Sequence, residues 1–146
     1  MTENTNDGQE LANALRQALT SQARSALHFA VVAGSATGSH ALGLRTALAE
    51  FAAAEVEDTQ RLVETLQALG VLADVETALV AVDGPTDKRL ARLVADEDEA
   101  IRALHGVIPH AGEEARSEAI EHLMEHLILR KQRQVDTLRR VLDTTA

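Results

Sequence analysis

At 146 residues the chain is long enough for one domain with a full core; at 45% hydrophobic but only 1% aromatic, that core must be built from Ala, Leu, Val and Ile, which favours closely packed helices. A formal net charge of −9 argues against a nucleic-acid partner, and the absence of cysteine excludes disulfides, thiolate metal ligands and thiol catalysis. The opening MTENTNDGQE lacks the apolar stretch of a signal peptide, and no apolar run approaches the roughly 20 residues of a membrane span, so a soluble, cytoplasmic protein is expected.

Residues 1–8 read as a flexible N-terminal tail, and 9–146 as a single helical domain. The first helix is expected from about Gln9 to Ala33, with Leu11, Leu15, Leu19, Ala26 and Phe29 on one side, until GSATGS (Gly34 to Ser39) breaks it. The second is expected from about His40 to Leu69, with Gly70 as its C′ residue. A long connection follows, roughly Val71 to Pro85, whose only strand-like fragment is the isolated LVAV. The third helix begins at about Thr86, read as its N-cap, and carries Leu90, Leu93, Val94, Ile101, Leu104 and Ile108. Pro109 and Gly112 mark a turn. The fourth helix runs from about Glu113 to Leu142, along Ile120, Leu123, Leu127, Val135, Leu138 and Leu142. Short first and third connections make antiparallel neighbours, whereas the long second connection permits a crossover with the second and third helices parallel.

Each apolar stripe is interrupted by polar residues. At about 100° per residue, Leu48, Ala52, Thr59, Leu62 and Leu66 share a side with Glu55, and Asp58 lies at its edge beside Phe51. Gln22 falls on the inner face of the first helix and Glu97 in the middle of the third stripe. Lys131 and Gln134 lie among Leu127, Ile128, Val135 and Leu138 on the fourth. Burying an unpaired charge costs several kcal/mol, so these six groups are expected to meet and satisfy one another. Three carboxylates against one ammonium are too negative for a dry core, which calls for a bound cation, a protonated carboxyl or access to water.

These segments resemble the ferritin-like superfamily, nearest in appearance to bacterioferritins, from about residue 11 to 142. EVEDTQRLVETLQALG resembles that family's second helix, where Glu-x-x-His precedes a Leu-rich run ending at Gly. LVADEDEAIRALHGVI resembles the third, with its metal-binding Glu, and ILRKQRQVDTLRRVL the fourth, with a second Glu-x-x-His. LTSQARSALHFAVVA resembles the first, where a Glu opens a run of small residues. The resemblance implies an all-α, ferritin-like four-helix bundle with a long crossover between helices 2 and 3. It also implies that the two-metal site is degenerate: Gln22, Asp58, Lys131 and Gln134 replace Glu, His, Glu and His, and only Glu55 and Glu97 are kept. The residue after the second-helix Glu, a haem-ligating Met in bacterioferritins, is Val56. No fifth helix follows the fourth, so a storage shell is not expected, and a homodimer through the outer faces of the first two helices is.

EAIEHLMEHL places His122 and His126 at i, i+4 with Glu118 and Glu125 nearby, but it is not His-Glu-x-x-His. Both imidazoles fall opposite the apolar stripe and are read as a solvated or interface face. His28 also points away from the inner stripe and suits an intersubunit contact; His105 and His110 lie near helix ends. No nucleophile–base set, phosphate loop or nucleotide fingerprint is present, so no catalytic residue and no cofactor is assigned. The expected function is non-catalytic: structural, regulatory or small-ligand-binding. The alternative is an oxidoreductase or ferroxidase in which Glu55, Asp58 and Glu97 hold one iron or manganese ion, helped by Gln22 or Gln134. A role as cargo or partner of a larger assembly is a third reading.

Overall fold

The computed structural model describes residues 2–36, 41–76, 80, 83–112 and 115–145, and for 2–7, 41, 42, 115, 144 and 145 the backbone alone. The described residues form four long helices: α1 (Thr2–Ser35), α2 (Ala41–Ala68), α3 (Thr86–Val107) and α4 (Ala115–Thr145), with a 3-10 turn at Ile108–His110 after α3. Helix α1 thus reaches back to Thr2, where the sequence reading starts the helix only at about Gln9; Gly8 sits inside it without breaking it. Pro85, not Thr86, takes the N-cap of α3, in extended backbone and without a side-chain cap bond. Proline suits this place, because it cannot continue a helix backwards. Part of LVAV, half of GSATGS and Glu113 lie outside the described residues.

Gly70 ends α2 as expected. Its φ of +72° is left-handed, and the Val71 N–H donates to Leu66 O at 3.0 Å while the Gly70 N–H donates to Gln67 O at 2.9 Å. This is the Schellman pattern, which supplies partners to carbonyls the helix itself leaves free.

Contacts along the helices fix their directions. Phe29 meets Phe51 edge-on, with centroids 5.9 Å apart, and Gln22 bonds Glu55, so α1 and α2 run antiparallel. Arg89 donates to Ser35 Oγ, Arg24 to Asp96 and Glu10 faces His110, so α1 and α3 are antiparallel too. Helices α2 and α3 are therefore parallel, and the connection between them crosses the length of the bundle. Arg92 donates to Asp83 and Arg89 to the Gly84 carbonyl at the end of that crossing.

The core is split. One apolar cluster gathers Leu15, Leu19, Leu62, Leu66, Leu104, Met124 and Leu127; the other gathers Phe29, Leu48, Leu90, Leu93, Val135 and Leu138. Between them, on every helix, the inward positions are polar: Gln22 and Ser25, Glu55 and Asp58, Glu97, Lys131 and Gln134 are all buried. The apolar stripes resume on either side of it, so this layer is held at one depth by the packing above and below.

Candidate functional site

The centre of the polar layer is an ammonium between two carboxylates. Lys131 Nζ donates to Glu55 Oε2 at 2.6 Å and to Glu97 Oε1 at 2.9 Å, with all three side chains fully buried. Gln22 Nε2 donates to the same Glu55 oxygen at 2.7 Å and to the Glu55 carbonyl at 3.0 Å. Ser25 Oγ donates to Glu97 Oε1. The two remaining carboxylate oxygens, Glu55 Oε1 and Glu97 Oε2, face the Gln134 amide. With its nitrogen turned towards them, as ionised carboxylates require, Gln134 donates at 2.7 Å and 2.9 Å. Six side chains from all four helices thus make one network.

Burial pushes the Glu55 carboxyl up to about 8; Lys131 opposes this, while the carboxylates of Glu97 and Asp58 add to it. Burial alone would lower the Lys131 pKa, but attraction to Glu97 and Glu55 outweighs it and holds the amine above its ordinary value. A protonated Glu55 leaves Lys131 and Glu97 as a balanced ion pair, which relieves the excess negative charge expected from sequence.

Asp58 departs from the expected convergence of all six groups. It is fully buried, and its Oδ1 lies 3.1 Å from Arg130 Nη1, at the seam between α2 and α4. Neither carboxylate oxygen is aligned for a hydrogen bond. Burial raises its pKa, against the pull of Arg130, Lys131 and Arg61. The wheel put Asp58 at the edge of the stripe, and that edge position turns it to Arg130 rather than into the Lys131 network.

Sequence reasoning missed Ser25 and Arg130. Ser25 lies three residues after Gln22 on the same face, so the signal was present but reads as a small spacer in an Ala-rich helix. His28, expected at an intersubunit contact, is instead buried in the α1–α3 seam, with Nδ1 2.7 Å from Asp96 Oδ2. His122 is exposed, as the solvated-face reading requires.

The family model described as Ferritin-like domain matches residues 12–146, and the chain belongs to that family. It is similar to a ferritin-like, diiron-carboxylate protein from Bacillus anthracis str. Ames, at 18% identity and a TM-score of 0.85, covering 93% of this chain and 97% of that one. It is also similar to a DPS protein from Vibrio cholerae O1, at 19% identity and a TM-score of 0.79, covering 94% and 92%. At these identities the likeness is one of fold. No curated protein matches the chain.

A di-iron centre of the carboxylate type needs anionic ligands to offset two divalent ions and imidazoles to complete their shells. The donor set here does not fit it. The space between the two glutamates is taken by the Lys131 ammonium, with both bonds shorter than 3 Å. Gln22 turns its amide nitrogen, not a ligating oxygen, towards Glu55.

Proposed function

We propose that this is a ferritin-like protein in which an internal ammonium replaces the charge of metal ions, and that its role is non-catalytic: structural, regulatory or small-ligand-binding. The observation that carries this reading is Lys131 Nζ bridging Glu55 Oε2 and Glu97 Oε1. The inner layer is then a satisfied buried network, since nearly every polar atom of Gln22, Ser25, Glu55, Glu97, Lys131 and Gln134 has a partner. One carbonyl, Gln22 Oε1, is left without one. The single-ion alternative needs Asp58 to join Glu55 and Glu97, and the turn of Asp58 to Arg130 weighs against it.

The test is metal content after purification without chelators, together with a ferroxidase assay. Less than stoichiometric iron and manganese, with no iron oxidation above buffer, is the expected result. Stoichiometric metal at Glu55 and Glu97, with Lys131 displaced, would overturn the proposal and favour the oxidoreductase.

The same reading includes a homodimer through the outer faces of α1 and α2. Leu27 is 43% and Val56 49% exposed there, and Val31 adds to the patch; the Leu42 side chain lies outside the described residues. Sedimentation at micromolar concentration tests it: Leu27→Asp with Val56→Asp should convert a dimer mass to a monomer mass. Cytoplasmic residence belongs to the proposal as well. Among the described residues no helix is long and apolar enough to cross a membrane.

A further inference from the structure

The outer face of α4 carries side chains that the inner network does not use. His122 and His126 are one helical turn apart and both exposed. Residues at i and i+4 have Cβ atoms about 5–6 Å apart, close enough for two imidazoles to reach one ion. His122 Nδ1 lies 3.6 Å from Glu125 Oε2, so the carboxylate sits on the Nδ1 side of the ring, where it can orient an imidazole that ligates through Nε2. His126 Nε2 lies 3.5 Å from Arg130 Nη2. A guanidinium has only donors, so this contact is a hydrogen bond only in the tautomer whose Nε2 accepts.

We propose that His122 and His126 form a two-imidazole site for a late first-row divalent ion, copper(II) foremost, on the outer surface of the bundle. Two nitrogen donors select against magnesium and calcium, which take oxygen ligands, and the stability order of such complexes peaks at copper. Arg130 has to leave His126 when the ion enters, and it has Asp58 and Glu57 to hold it. Among the described residues no group of three His, Asp or Glu side chains converges on one point. Water therefore completes the coordination shell, and the ion exchanges freely. The site is separate from the inner layer and is independent of whether that layer holds metal.

Copper(II) alone, titrated into the full chain in a non-coordinating buffer, tests this. One equivalent should bind, with an electron paramagnetic resonance signal showing coupling to two nitrogens. His122→Ala and His126→Ala should each weaken binding at least about tenfold, the loss seen even for outer-shell partners of a metal. Arg130→Gln should strengthen it, and His105→Ala should leave it unchanged. Both alanine positions are exposed, and an unchanged circular dichroism spectrum would show that the fold is kept. Failure of the parent to bind copper, equal binding by a variant lacking both imidazoles, or loss from only one of the two substitutions would each overturn the proposal.

Discussion

Replacing Lys131 by Met keeps most of the side-chain volume but removes the donor shared by Glu55 and Glu97. Glu97 is then left buried beside Glu55 with no counter-charge, and loss of one partner of a buried pair costs about 3–5 kcal/mol. Urea unfolding of Lys131→Met near neutral pH should show a loss of that size, shrinking in acid as protons take the place of the ammonium. The parent should itself depend on pH. The folded pKa of Glu55, about 8, lies above its ordinary 4.5, so the folded chain keeps a proton that the unfolded chain releases. The contribution of Glu55 is complete below pH 4.5, declines as the pH rises, and is lost above about 8. Asp58 is shifted in the same direction. Lys131 is raised above 10.5 and keeps its contribution through that window. Unfolding free energies measured from mild acid to mild alkali should therefore fall for the parent and form a flatter line for Glu55→Gln. Gln134 serves both charge states: its nitrogen donates to ionised carboxylates, and its oxygen, after a turn of the amide, accepts from a protonated one.

The helices were legible in the sequence because period and punctuation agree. Gly70 shows this most clearly: it stands after a Leu-rich run, and only glycine takes a φ of +72° without a Cβ penalty. Nothing lies within 4 Å of a Cβ added there, so Gly70→Ala measures the backbone term alone. It should cost about 1–2 kcal/mol in thermal or urea unfolding. The ends were harder to read. Thr86 has the better capping side chain, yet Pro85 sits where the chain turns out of the crossing, and the fixed φ of proline decides the boundary. At the other extreme, helix α1 continues through Gly8 to Thr2 although its first residues have no apolar stripe of their own. Side-chain direction within a legible helix was the third difficulty. A wheel gives Glu55 and Asp58 neighbouring angles, but whether Asp58 meets Lys131 or Arg130 depends on how α2 and α4 pack. Period alone does not encode that.

The topology was legible from one feature, the length of the connection between α2 and α3, and the parallel run of those helices follows from it. The depth of the polar layer was legible as well, because each stripe carries its polar residue between apolar neighbours. Which group pairs with which was not, since Glu55, Glu97 and Lys131 are brought together only by the assembled bundle. This distinction sets the last prediction. If the inner layer is a metal site converted by substitution, the backbone should still hold ligands at the right depth. The combined change Gln22→Glu, Asp58→His, Lys131→Glu and Gln134→His supplies four carboxylates and two imidazoles around one centre. Made in a His122→Ala background, so that the outer face of α4 cannot contribute, it should retain stoichiometric manganese(II) or iron(II) after dialysis, and melt at higher temperature with metal than without. The same background carrying only Lys131→Glu should bind far less, because no imidazole completes the shell. A fourfold variant that folds, by circular dichroism, but retains no more metal than its parent would mean that the backbone spacing itself has drifted. In that case the ammonium network is the layer's own architecture rather than a substituted metal centre.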